Sequence, residues 1–292
     1  MTFDHIAVIG PGRVGLSFAR ALFRAGESIA VLGREAQAIP EPLEPASPVW
    51  DAALAACDLV IVAVPDDAIG AVALELARSR LITADHAVLH TSGLCDRSSL
   101  AALNSSGAAL GSIHPLQTFA DPDGDPDALA GAPAVIEGDP RALAVARRVA
   151  SMLRLTPVVE IEADKKPLYH AAAVFASNYP VVLAAIAGRL GRDAGLGDVA
   201  ETLFLPLMRR TISNLEGGRL AALTGPIRRG DGGTVSRHLE VLAGEDRALY
   251  LALGREALAI AMRAGLDRSS ADALRRALVD DPGTERGLAA KE

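Results

Sequence analysis

The chain has few aromatic residues, few cysteines and few lysines. Aromatics make up 3% of the 292 residues, and the formal net charge is −7. A nucleic-acid partner needs a basic face for phosphates and rings for bases to stack on. The sequence offers neither, so no nucleic-acid partner is expected. Its two cysteines, Cys57 and Cys95, are too few for a disulfide framework and lack metal-site spacing, so no metal is expected. The N-terminus has no basic stretch and its first apolar run stops at Gly10, unlike a signal peptide. Uninterrupted apolar stretches such as Val181 to Ala187 are too short for a bilayer, so a cytoplasmic protein without a membrane partner is expected. Lysine occurs only at Lys165, Lys166 and Lys291, so any catalytic lysine must be one of these three.

What is abundant is apolar mass, 50% of the residues, enough for the cores of two domains. The first chemically suggestive stretch is "IAVIGPGRVGLSFARALFRAG" at 6–26. An apolar run ends at Gly10, Gly12 and Gly15, in G-x-G-x-x-G spacing, and a pattern of helical period follows. Gly10 allows the tight turn, Gly12 lets backbone approach a pyrophosphate, and Gly15 lets helix and strand pack closely. The N–H groups around Arg13, Val14 and Gly15 would then face the phosphates. Glycines also end strands with no ligand in view; the position between a first strand and a helix favours the cofactor.

Strand and helix signals alternate through the first half. Ser28 to Leu32, Leu59 to Val64, Ala87 to His90, Ala109 to Ile113, Ala134 to Glu137 and Pro157 to Ile161 read as strands. Ala68 to Arg78 and 141–153 read as helices, and 40–48 and 121–132 as loops. This predicts an α/β, doubly wound Rossmann-type domain over 1–163. From Asp164, a candidate N-cap, the chain reads as all-helical: a first helix that Pro180 should kink, then helices near 197–216, 234–243, 245–264 and 269–278. Residues 164–292 are therefore expected to form a helical domain for substrate binding and dimerisation.

The second strand ends "VLGRE", with Gly33 and Arg34 where NAD-binding domains carry an acid. A guanidinium there can fork onto a 2′-phosphate, which predicts NADP(H). The alternative is a surface Arg34, with Glu35 serving the ribose. Val64, Pro65 and Asp66, Thr91 and Ser92 of "HTSG", and His114 of "GSIHP" all come at strand ends. That edge of a parallel sheet is where ligands bind.

"LHTSG", "GSIHPLQTF", "YHAAAVFASNY", "LFLPLMRRTISN" and "ALTGPIRRGDGGTVSRHL" follow in this order. Together they resemble the Rossmann-like family whose C-terminal half is a domain of unknown function. That family is similar to a branch of the 6-phosphogluconate dehydrogenase-type superfamily, beside pyrroline-5-carboxylate reductase, prephenate dehydrogenase and ketopantoate reductase. By this resemblance His114 is the acid/base meeting the substrate, and Ser92 hydrogen-bonds nearby. An ordinary imidazole, with pKa about 6.5, could give and take a proton near neutrality. The alternative is a strand-end His capping a carbonyl.

His170 and Asn178 lie eight apart on one helix face, about 12 Å along the axis. Relatives carry a catalytic lysine one turn before the asparagine, but here that position is Val174. Lys165 and Lys166 are 13 and 12 residues from Asn178, about 18–20 Å by helix rise, so the lysine mechanism does not transfer. Asn178 could hold a substrate carbonyl or carboxylate, and His170 is either functional or a satisfied buried histidine. Thr224, Arg229, Asp231 and His238 could bind a substrate carboxylate. The alternative is a tight Gly/Pro turn in which Asp231 bonds its own backbone; in either case Thr234 is the candidate N-cap of the next helix.

The expected protein is an NADP-dependent oxidoreductase reducing a small carboxylate-bearing carbonyl or imine, a 2-oxo acid such as ketopantoate, and forming a homodimer through its helical half. The alternatives are a non-catalytic NADP-binding or regulatory protein on the same fold, and the same chemistry run in the oxidative direction.

Overall fold

The computed structural model describes Phe3 and residues 5–279. Its strands are β1 (Ile6–Ile9), β2 (Ile29–Leu32), β3 (Leu59–Val62), β4 (Ala87–His90), β5 (Ala109–Pro115), β6 (Ala134–Gly138) and β7 (Val158–Glu160). They form one sheet in the order β2-β1-β3-β4-β5-β6-β7. β1 to β5 run parallel, β6 pairs antiparallel with β5, and β7 runs parallel to β6. The first helices are α1 (Arg13–Arg24), α2 (Asp51–Ala56), α3 (Ile69–Ser79), α4 (Pro140–Met152) and α5 (Lys166–Asp193).

Alternation along each strand builds two cores. Ile6, Val8, Leu59, Ile61 and Leu89 face one core, which holds Leu16, Phe18 and Leu22 of α1 and Ala146 and Val149 of α4. Ala7, Ile9, Val60, Val62 and Val88 face the other, with Leu54 of α2 and Ile69, Ala73 and Leu76 of α3. A sheet covered on both faces explains the continuous apolar strands. Asp139 starts α4 by accepting the N–H groups of Arg141 and Ala142, with Pro140 in the first turn, where no donor is missed.

The chain divides into two compact units, Met1–Val181 and Val182–Glu292. The division falls inside α5, whereas the sequence suggested a junction at 163–164. Asp164 does not cap α5: a 3-10 turn, Ala163–Lys165, precedes the helix, and the Asp164 carboxylate takes the Lys165 ammonium at 2.8 Å. Pro180 lies within α5, which continues to Asp193. By length and composition Ala163–Asp193 could cross a membrane, an 18-residue window within it reaching a mean hydropathy of 1.6. Contiguous-run reading missed this because Ser177, Asn178 and Pro180 interrupt the apolar residues.

The second unit adds α6 (Ala200–Leu203), α7 (Leu205–Asn214), α8 (Arg219–Ala222), α9 (Gly225–Arg229), α10 (Gly232–Val241), α11 (Gly244–Arg263) and α12 (Arg268–Ala277). The single helix expected at 197–216 is broken because Pro206 opens a new one in the first turn of α7. Val235, Leu239, Leu251, Leu258 and Leu274 form this unit's core.

Candidate active site

The carboxyl ends of four parallel strands lie in register: Ile9 pairs with Val62, Val62 with His90, and His90 with Ser112. After β1 the chain turns at Gly10, with φ +107°, and a Cβ there would overlap the Ala63 carbonyl. A Cβ on Gly15 would overlap the Gly10 carbonyl, which fixes close helix–strand packing. Gly12 differs: it is the N-cap of α1, has no side-chain cap, and faces open space. The first-turn N–H groups at Arg13, Val14 and Gly15 therefore suit an anion. Beyond β2, Gly33 is buried and its carbonyl accepts Trp50 Nε1 at 3.0 Å, while Arg34 and Glu35 are both exposed. Half-buried Val64 and exposed Pro65 and Asp66 follow β3, and half-buried Thr91 follows β4. The open Gly12 and the uncapped first turn of α1 suit the pyrophosphate of a dinucleotide.

Three strand spacings from β1, about 14 Å, β5 presents Ser112 and His114 on one face, two residues apart. The start of α5 presents Lys166, Tyr169 and His170 at helical spacing, so these also share a face. The faces meet. Lys166 Nζ donates to Ser112 Oγ at 2.7 Å and to the Ser92 carbonyl at 3.0 Å. His114 Nδ1 lies 2.6 Å from Tyr169 Oη. The His114 and His170 rings stand edge to face, 6.0 Å between centroids. Gly93 packs on both: a Cβ there would sit 2.8 Å from His114 Cε1 and 2.8 Å from His170 Nδ1. His170 Nδ1 is buried without a hydrogen-bond partner among the described residues.

Beneath these rings runs a buried polar row, His90, Ser112 and Glu137, paired across β4, β5 and β6. His90 Nδ1 accepts the Ser92 N–H at 3.2 Å, so Nε2 carries the proton and donates to the Asp96 carbonyl at 3.1 Å. Glu137 Oε2 accepts the Arg97 N–H at 2.9 Å. Burial, then the charge of Lys166, pushes His90 down to about 4. Burial, then His170 and Lys166, pushes His114 down to about 4. Lys166 itself is lowered to about 8 by burial, against the opposing pull of Glu137, Cys95, Asp96 and Asp66. Burial raises the Tyr169 hydroxyl, so it keeps its proton at neutral pH, and its O–H can donate to an unprotonated Nδ1. In that tautomer the neutral His114 imidazole carries its N–H at Nε2.

Residues 4–115 match the Rossmann-like domain, and residues 132–257 match a domain of unknown function, DUF2520. The two matches follow one another along the chain, the first on the sheet-bearing part and the second running from β6 into the helical part. Among solved structures it is similar to a protein from Thermotoga maritima, with 26% identity and TM-score 0.65 over 88% of this chain and 98% of that one. A candidate NADP oxidoreductase from Bacteroides fragilis matches at 24% identity and TM-score 0.66 over the same 88% and 98%. Plasmodium falciparum pyrroline carboxylate reductase, solved with NADP bound, matches at 11% and TM-score 0.56 over 94% and 97%. No curated protein matches the sequence.

The structure brings together His114, His170 and the Ser92 loop. Ser92 Oγ, however, accepts the N–H groups of Leu94 and Cys95 at 3.1 and 2.9 Å, so it shapes the loop and does not bond His114. Asn178 is exposed and its Oδ1 accepts Ser177 Oγ at 2.8 Å; it stands more than two turns beyond His170. His114 is no ready store of protons, because desolvation removes the near-neutral pKa that the sequence reading assumed. In the second unit Asp231, not Thr234, caps α10. Its carboxylate takes the Thr234 N–H at 2.9 Å and the Thr234 hydroxyl at 2.7 Å, which is the turn role. His238 Nδ1 lies 2.7 Å from Tyr250 Oη, and Thr224 and Arg229 are exposed. Lys166 and Tyr169 are the residues that sequence reasoning passed over. The signal was the i, i+3, i+4 spacing of Lys166, Tyr169 and His170 opposite the i, i+2 spacing of Ser112 and His114.

Proposed function

We propose that this protein is an NADP(H)-dependent reductase of a small carbonyl or imine bearing a carboxylate, with a 2-oxo acid such as ketopantoate as the concrete candidate. The observation that carries this reading is the His114 imidazole, 2.6 Å at Nδ1 from the Tyr169 hydroxyl and lying along the strand-end edge that begins at the Gly10–Gly15 turn. The Gly12 opening and the first turn of α1 would hold the pyrophosphate, and Arg34 the 2′-phosphate. NADPH, when bound, supplies the hydride. His114 would donate Nε2–H to the substrate oxygen or nitrogen as charge develops there, a role suited to a neutral imidazole in a desolvated site. Tyr169 fixes the tautomer that makes this donation available. His170 Nδ1, a buried polar atom without a hydrogen-bond partner among the described residues, supports a second polar contact to the substrate.

The fold shared with an NADP-bound pyrroline carboxylate reductase supports the cofactor class. We also propose a homodimer through the helical half. Leu168, Phe175, Val181, Leu207 and Ile212 expose large apolar side chains on α5 and α7, and isologous pairing is the commonest way to cover such a surface. The test of function is NADPH oxidation with a panel of 2-oxo acids and cyclic imine carboxylates. Turnover of one of them supports the reading, whereas tight NADPH binding with no turnover favours a binding or regulatory role.

A further inference from the structure

Lys166 is the largest cost in the site that the proposed chemistry does not use. It is fully buried, and burying an ammonium is expensive unless something requires it there. Of its three donors, two are spent on the Ser112 hydroxyl and the Ser92 carbonyl. That carbonyl belongs to the Ser92–Gly93 peptide, and the Gly93 backbone is packed against the His114 and His170 rings. The remaining loop contacts hold its flanks. The His90 ring ties the Ser92 N–H and the Asp96 carbonyl, and Glu137 ties the Arg97 N–H.

We propose that Lys166 is the positioning residue of the site: by clamping the Ser92–Gly93 peptide to β5 and α5, it fixes both imidazoles in their edge-to-face arrangement. It touches neither ring through a hydrogen bond and acts through Gly93. This deepens the reductase reading and rests on it for its functional meaning, but the arrangement itself can be observed without cofactor or substrate. The groups facing His114 are His170, Tyr169 and Lys166 from α5 and Asp66 from the turn after β3. Those facing Lys166 are Glu137 from β6, Cys95 and Asp96 from the loop after β4, His90 from β4, and Asp66. With Lys166 lowered to about 8, raising the pH past that point removes the ammonium charge and its third donor beside the Ser92–Gly93 peptide, while His114 is already neutral.

The experiment is an NMR titration of the histidine Cε1–H signals and the Gly93 amide in the full chain. A Cys95→Ser background keeps the neighbouring thiol from contributing. With Lys166 present, the His114, His170 and Gly93 signals should all show an inflection near pH 8. In Lys166→Met, and in Lys166→Arg, whose guanidinium stays charged, that inflection should be gone. In Lys166→Met the His114 midpoint should also rise from about 4 towards the ordinary imidazole value. The proposal is overturned if the chain that retains Lys166 shows no inflection, which needs no Lys166 variant to fold, or if the inflection survives in either one. Because no turnover is measured, failure here is separate from failure of the reductase assignment.

Discussion

The hydroxyl of Tyr169 lies 2.6 Å from Nδ1 of His114, joining the first turns of α5 to the end of β5 across 55 residues of sequence. The pair decides which role His114 can play. With its pKa near 4, the imidazole offers an N–H but not a loosely held proton. His114→Gln, which keeps an N–H donor, should therefore retain far more turnover than His114→Ala. Imidazolium acid catalysis would make the two equally poor. Tyr169→Phe should cost about three- to tenfold in kcat, the worth of one neutral hydrogen bond. Steady-state kinetics of the three variants on one reduced substrate checks both statements.

Cofactor choice should follow Arg34. NADP(H) is expected to bind more tightly than NAD(H), and Arg34→Asp should lower the preference about tenfold or more, since a bidentate phosphate contact is worth roughly 1.5–3 kcal/mol. Calorimetry with both dinucleotides measures it. Equal affinities in the wild type would remove Arg34 from the site.

The glycine turn, the five parallel strands and the helical second half could be read from the sequence because each depends on local pattern. Gly10, Gly12 and Gly15 announce themselves by spacing, and strands buried on both faces by continuous apolar runs. Lys166 could not be found that way. Measured along the helix it is far from Asn178, and its importance comes from Ser112, 54 residues away on β5. Only the packing of the start of α5 against β5, which no local pattern supplies, brings them together. The same holds for His114: its residue type was legible, but the desolvation that makes it neutral arises from tertiary packing. Asp231 shows the opposite error, a charged side chain read as a ligand group whose oxygens are taken by its own helix start.

Acid should destabilise the fold in a defined window. His90 and His114 are both depressed to about 4, against about 6.5 unfolded. Between those values the unfolded chain binds more protons, so stability rises with pH. The contribution of each imidazole is complete above pH 6.5 and is lost as pH falls towards 4, by up to about 3 kcal/mol for fully buried His90. Denaturant unfolding from pH 7 to pH 4 should show this loss, and His90→Gln should flatten it. An unchanged midpoint across that range would mean the imidazoles are not buried neutral.

Assembly should respond to the exposed apolar residues of α5 and α7. Sedimentation of the wild type at micromolar concentration should give a dimer. Phe175→Glu together with Leu207→Glu, both exposed in the single chain, should give a folded monomer. A wild-type monomer would leave those faces without an explanation.

The central claim is hydride transfer to a substrate held by His114, and one paired assay addresses it most directly. Wild type and His114→Ala are compared, under saturating NADPH, against the panel of 2-oxo acids and cyclic imine carboxylates. At least one substrate should be reduced by the wild type, with turnover lower by ~10²–10⁴-fold in His114→Ala and NADPH affinity nearly unchanged. Wild-type turnover in His114→Ala, or bound NADPH that no member of the panel consumes, would contradict it.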